Sequence, residues 1–74
     1  MTRLPRPSGR DVVKALTKLG YAKDHQRGSH IVLRQLDLPH KRLVIPDHAE
    51  VAKGTLRALI RLLGITVEEF NSLL

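Results

Sequence analysis

The chain has 74 residues, enough for one domain with a small core, because a domain of this size buries only roughly 60% of the surface that its unfolded chain exposes. Lys and Arg outnumber Asp and Glu by 13 to 7, so the formal net charge is +6. This balance favours a nucleic acid as partner over mere solubility or an acidic protein. The absence of cysteine excludes disulfides and thiolate metal sites, and no apolar run approaches the ~20 residues needed to cross a bilayer. We therefore expect a single cytoplasmic domain over residues 1–74 that binds no membrane.

The first predicted element is a helix over residues 9–19. Ser8 is typical of an N-cap, and Asp11 places a negative charge in the first turn, where it favours the helix dipole. Apolar residues at helical spacing follow, and Gly20 suits the position just after the helix.

The next segment predicts three strands that reverse direction through short connections. Short connections of this kind favour antiparallel over parallel pairing. The strands are expected at residues 21–26, 29–35 and 42–45, with a turn at Arg27-Gly28 and a second turn or loop at residues 37–40.

Two helices are predicted after the strands. The apolar spacing indicates a core-facing helix that starts near residues 53–55 and runs to Leu63. Gly64 ends this helix. Thr66 with Glu69 forms a capping box that opens a last helix ending at Leu74.

This order predicts an α+β fold. We expect a two-layer sandwich in which a three-stranded antiparallel sheet carries two helices on one face, in the order α-β-β-β-α, plus a short C-terminal helix. The double-stranded-RNA-binding fold has the same order of elements.

The triplet Gly28-Ser29-His30, at the mouth of the predicted hairpin, is the strongest candidate for chemistry. Histidine is the side chain best suited to move a proton near neutral pH, and glycine permits a sharp turn. RNA supplies its own nucleophile, the 2′-hydroxyl, so cleavage needs a base, an acid and cations but no metal or cofactor. The plainer interpretation is a surface histidine without a role.

Basic residues on the hairpin are candidates for holding the phosphate that is cleaved. They are Lys23, Arg27 and Arg34, although surface placement alone would produce the same pattern. Ser29 would bond the phosphate or fix the turn, and it lacks the aspartate relay of a nucleophile.

The second helix predicts a basic stripe at Lys53, Arg57 and Arg61. The start of a helix favours phosphate, so Lys53 and Arg57 are candidate RNA contacts. The alternative is an ordinary solvated helix face.

The other histidines are weaker candidates. His48 is either a second acid or base, or a loop cap near the edge of the sheet. His25 and His40 look like ordinary exposed positions, and the four histidines lack the spacing of a zinc site.

Four ordered motifs resemble those of the HicA family of toxins, small messenger-RNA interferases of bacterial and archaeal toxin–antitoxin pairs. The resemblance runs from Leu4 to Leu74. It rests on Gly-Ser-His at 28–30, Ile-Pro-Asp-His at 45–48, Lys-Gly-Thr-Leu-Arg at 53–57 and Gly-Ile-Thr-Val-Glu-Glu-Phe at 64–70.

The resemblance implies the toxin of a type II toxin–antitoxin system, with a double-stranded-RNA-binding-like fold. It implies an endoribonuclease that cleaves messenger RNA and so inhibits translation, with His30 as the catalytic residue and Gly28 and Ser29 as its turn. A HicB-type antitoxin would mask His30. The chain departs from the family at residues 31–33, which are aliphatic where members often carry an aromatic residue or a second histidine.

Two other functions are compatible with the residues alone. A non-catalytic RNA-binding module would bind RNA tightly without cutting it. A basic adaptor for an acidic protein would have no affinity for RNA at physiological salt.

Overall fold

The computed structural model describes residues 3–74 and contains three helices and one sheet. The sheet is antiparallel with strand order β1-β2-β3, so the α+β class and the order α-β-β-β-α-α are as predicted. No helix within the described residues has the length and apolar character needed to cross a membrane. The elements are α1 (Gly9–Thr17), β1 (Tyr21–Arg27), β2 (His30–Gln35), β3 (Arg42–Pro46), α2 (Lys53–Leu63) and α3 (Val67–Leu73).

The start of α1 is fixed by a reciprocal capping box. The Ser8 hydroxyl accepts a hydrogen bond from the Asp11 N–H at 3.1 Å, and the Asp11 carboxylate accepts one from the Ser8 N–H at 3.2 Å. The helix ends at Thr17, two residues earlier than predicted, because the next three N–H groups bond carbonyls three residues back. Leu19 therefore lies in the turn after the helix and is 37% exposed.

A single apolar core lies between the helices and one face of the sheet. Side chains alternate along β2, so Ile31 and Leu33 are buried against the helices, and Ile45 of β3 pairs with Ile31 on the same face. The other core residues come from the remaining elements and the loop before α2: Val12, Ala15, Leu16, Tyr21, Val51, Leu56, Leu59, Ile60 and Phe70.

The two C-terminal helices begin and end close to the predicted residues. Gly64 adopts a φ of 69° and stops α2, and the Thr66–Glu69 capping box opens α3. Phe70 of α3 is fully buried, whereas Leu74, just after the helix, is exposed.

The N-terminus of α1 is joined to the loop that follows β3. Gly9 N–H donates to the His48 carbonyl at 2.9 Å, and Val51 N–H donates to the Pro7 carbonyl at 2.9 Å. At Gly9 the two backbones meet so closely that a Cβ there would collide with the Pro46 carbonyl oxygen. Only glycine fits this junction.

The junction makes a stability prediction for Gly9→Ala. The new methyl group meets backbone that cannot rotate away, so we expect a loss of about 3 kcal/mol in the free energy of unfolding, the upper end of overpacking costs. Chemical denaturation measures it. Gly54→Ala is the matched control: a Cβ at Gly54 meets nothing within 4 Å, and alanine favours the helix by up to about 1 kcal/mol. Equal stability of the two variants would contradict the proposed clash.

Candidate active site

A two-residue turn at Gly28 and Ser29 places His30 at the start of β2. Gly28 has a φ of 57°, and glycine at the first central position with positive φ is the pattern of a type II′ hairpin turn. The turn lies one residue later than the predicted Arg27-Gly28. His30 is therefore the first residue of the central strand and is exposed.

His30 lies on the sheet face that the helices leave uncovered. Because Ile31 and Leu33 face the helices, His30, Val32 and Arg34 face the opposite way. We call this side the open face. Its cross-strand rows, starting at the turn, are Arg27–His30–Pro46, His25–Val32–Val44 and Ala22–Arg34–Arg42.

Three arginines share the open face with His30. Arg27 is its direct neighbour on β1, and Arg34 and Arg42 form a pair in the row farthest from the turn. The sequence predicts Arg27 and Arg34 as site residues but misses Arg42, because its side of the sheet depends on the register of β3.

The structure does not bring Lys23 together with His30. Lys23 pairs with the buried Leu33, so it belongs to the helix-facing side of β1. Its ammonium group donates a hydrogen bond to the Gln26 side chain at 3.0 Å, on that same side.

An irregularity in β1 places a second histidine on the open face. The register shifts between Lys23 and His25, so Asp24 is an extra residue and His25 pairs with Val32. His25 Nδ1 lies 3.0 Å from a carboxylate oxygen of Asp24. His25 is exposed, as expected, but it is not an ordinary position, since it is paired with a carboxylate.

The charge state of Asp24 follows from these neighbours. The hydrogen bond with His25 lowers the pKa of the Asp24 carboxyl below its ordinary value. Desolvation opposes this effect, and the positive charges of Arg42 and Arg34 reinforce it. Asp24 is therefore an ionised hydrogen-bond acceptor at neutral pH.

Asp47 connects the hairpin turn to the first helix, and sequence reasoning did not single it out. Its N–H donates to the Ser29 carbonyl at 2.6 Å. Its carboxylate accepts hydrogen bonds from Arg10 of α1 at 3.4 Å and from the Gln26 amide at 3.1 Å, and the same amide donates to the Gly28 carbonyl at 3.1 Å. Both residues of the turn are thereby tied to the rest of the fold. The only signal in the sequence is the place of Asp47 within the Ile-Pro-Asp-His motif.

The remaining histidines occupy loops. His48 is exposed and follows Pro46, the cross-strand neighbour of His30, by two residues. Its side chain has no hydrogen bond within residues 3–74, and its carbonyl holds Gly9. The expectation that His40 is an ordinary exposed position is wrong: it is half-buried, has a φ of 58° and places Nδ1 3.0 Å from the Gln35 carbonyl.

Lys53 and Arg57 line a groove apart from the open face. Both are exposed on α2, and the groove between α2 and the N-terminal segment has a volume of about 700 Å³. The N-terminal side adds Arg3 and Arg6, so four cations surround one groove. None of the four forms an ion pair within the described part of the chain. The sequence shows Arg3 and Arg6 as basic, but only the fold brings them beside α2.

The site can transfer protons and bind anions. Imidazole is the side chain type best suited to proton transfer, and His30 and His25 each present one on the open face. The arginines of this face can neutralise a phosphate. Among residues 3–74 there is no cluster of three or more His, Asp or Glu side chains that could hold a metal ion.

Comparison with known proteins agrees with this architecture. No curated protein matches the chain. Residues 9–65, which are most of the chain, match the family described as HicA toxin of bacterial toxin–antitoxin. The matched region runs from the start of α1 past the end of α2, so it includes the Gly28-Ser29-His30 turn and the whole open face. The chain therefore belongs to the HicA toxin family of bacterial toxin–antitoxin systems.

Proposed function

We propose that the protein is an endoribonuclease that cleaves messenger RNA and so inhibits translation in the cytoplasm. The observation that carries the proposal is the position of His30, exposed at the start of the central strand and on a face shared with three arginines. Membership of a toxin family supports it, because cutting messenger RNA is a direct way for so small a basic protein to be toxic.

The proposed reaction uses the 2′-hydroxyl of the substrate as nucleophile, so it calls for no metal or cofactor. His30 acts as general acid or base, a role that typically contributes about 10²–10⁴-fold to the rate. Arg27, in the same row, lies where it can stabilise the charge that grows on the phosphate. Gly28 and Ser29 aim His30, and Arg34 holds a phosphate farther along the face.

The groove beside α2 gives the RNA a second contact. Lys53 and Arg57, with Arg3 and Arg6 opposite, present four positive charges to a sugar–phosphate backbone. Such contacts position a strand and carry no base sequence, so they support binding to many messengers.

The expected partner is a HicB-type antitoxin that covers the open face and masks His30. Val44, in the row next to His30, is 55% exposed and pairs with Val32, so it gives the open face a small apolar area that a partner can cover. The arginines around it favour an acidic partner surface. An antitoxin bound there excludes RNA directly.

The central test is cleavage of an end-labelled messenger RNA by the wild-type protein and by His30→Ala. We expect the variant to lose about 10²–10⁴-fold in rate, with its fold unchanged because His30 is exposed. Circular dichroism checks the fold. Equal cleavage rates for the two proteins would contradict the role of His30 as general acid or base. Tight binding without any cleavage by the wild type would instead indicate a non-catalytic RNA-binding module.

A second prediction concerns Lys53→Ala/Arg57→Ala. Loss of two phosphate contacts should weaken single-stranded RNA binding and reduce the salt slope of log K by about 1.4, at about 0.7 per contact. Fluorescence anisotropy measures the binding constant at salt concentrations from about 50 to about 200 mM, and the slope of log K against log[salt] gives the number of phosphate contacts. Lys14→Ala, which removes an exposed charge from α1, is the control and should change the slope less. An unaltered salt slope in the double variant would show that the groove does not bind the RNA backbone.

A third prediction concerns Asp47→Ala. The variant removes the carboxylate that accepts from Gln26 and Arg10, while the backbone bond to Ser29 remains, so the turn should loosen without unfolding the chain. We expect kcat to fall by roughly tenfold to a hundredfold with KM little changed, since misplacement by about 1 Å can cost that much. Asp37→Ala, an exposed loop aspartate, is the control. A change in KM alone would show that Asp47 does not position His30.

A further inference from the structure

The proposed reaction moves two protons, and His30 accounts for only one of the two transfers. A base removes the proton from O2′ as O2′ attacks phosphorus, and an acid protonates O5′ as the P–O5′ bond breaks. The products are a 2′,3′-cyclic phosphate and a free 5′-hydroxyl. One proton-transfer role is therefore unassigned.

We propose that His25, held by Asp24, is the second proton-transfer residue and acts with His30 on the same phosphodiester. The inference rests on the proposed function. It concerns a histidine that neither the sequence motifs nor the family resemblance singles out.

The register places the two imidazoles as diagonal neighbours. His25 lies directly opposite Val32, and His30 precedes Val32 by two residues on the same face of β2. Diagonal positions of this kind are about 7–8 Å apart along the backbone, within reach of long side chains. Two rings at that spacing can flank one phosphate, which is what in-line displacement requires of an acid and a base on opposite sides of phosphorus.

The irregularity in β1 is what puts His25 on this face. Regular pairing after Lys23–Leu33 would set His25 opposite Ile31, directed toward the helices. The extra residue, Asp24, shifts the strand by one, and His25 joins Val32 and His30 instead. Bulges that re-aim a side chain are over-represented next to active sites.

Asp24 also determines which ring nitrogen of His25 is available. An ionised carboxylate can only accept a hydrogen bond, so Nδ1 of His25 carries the proton in the 3.0 Å contact. Nε2 is then the nitrogen free to meet a substrate, and the side chain of His25 is 52% exposed to receive one. A carboxylate that orients a histidine in this way is a recurring arrangement in proton-transfer sites.

The charges that surround His25 suit an anionic substrate. The two carboxylates next to the open-face rows within the described chain already have partners: Asp24 bonds His25, and Asp47, which follows Pro46, accepts from Arg10 and Gln26. The titratable and charged groups that face His25 are Asp24 and Arg27 from β1, His30 and Arg34 from β2, and Arg42 from β3.

His48 is the rival for the second role and provides the control. It lies in the loop after β3, outside the open-face rows, and no hydrogen bond orients its ring within residues 3–74. Both histidines are exposed, so replacing either by alanine should leave the fold intact.

The test measures single-turnover cleavage of one labelled RNA between pH 5 and 9 by five proteins. These are the wild type, His25→Ala, Asp24→Asn, His48→Ala and His30→Ala. For the wild type we expect the cleavage rate to follow a bell-shaped pH profile. For His25→Ala we expect the rate to fall by about 10²–10⁴-fold and one limb of the profile to flatten. Asp24→Asn should reduce the cleavage rate less and shift one limb of the profile to a different pH, because Asp24 positions His25 and does not touch the substrate. His48→Ala should keep both limbs.

Each failure has a separate meaning. A His25→Ala protein with the wild-type rate and both limbs, beside an inactive His30→Ala, overturns the role of His25 and leaves the proposed function standing. A His48→Ala protein that loses a limb while His25→Ala does not moves the role to His48. Equal rates for wild type and His30→Ala overturn the proposed function itself.

Discussion

The candidate site depends on one backbone hydrogen bond, from the Asp47 N–H to the Ser29 carbonyl at 2.6 Å. It closes the hairpin turn onto the end of β3 at the point where the chain leaves the sheet. Two further backbone bonds, at Gly9 and Val51, then tie the following loop to the N-terminal segment. Turn, loop and first helix thus form one continuous hydrogen-bonded junction, and His30 begins its strand from that junction. A side chain meant to meet a reacting atom within fractions of an ångström needs such support.

The two faces of the sheet differ in role because successive side chains of β2 point to opposite sides. Ile31 and Leu33 contribute to the core, while His30 and Arg34 remain available on the other side. A small domain has little apolar surface to bury, so it cannot also enclose a deep pocket. An open, positively charged face suits contact with a long polyanion, which needs no deep pocket. A protein partner can cover the same face as a whole.

Much of the fold was predictable because local rules and tertiary packing agree. The capping residues Ser8 and Thr66 and the stop at Gly64 act within one turn of the chain, and each lies where expected. The end of α1 was misplaced because a tightened last turn depends on hydrogen bonds that spacing does not reveal.

The candidate site was predictable only in part. His30 follows from a turn signature and a family resemblance, both local in the sequence. Arg42, the Asp24–His25 pair and the side on which Lys23 lies depend on strand register, and one extra residue in β1 reverses the side of every later position. Asp47 gains its contacts from partners 21 and 37 positions away, which no local pattern specifies.

The irregular strand β1 has a consequence for how the chain behaves when it is alone. β1 and β3 are the edges of the sheet, and edge strands invite pairing with other chains. The bulge at Asp24 and the charged residues of β1 disrupt the straight ladder that another strand would need, and β3 is only five residues long and ends at Pro46. Both edges thus discourage strand-to-strand pairing with another chain, so the uncovered face is the part of the sheet best placed to meet another molecule.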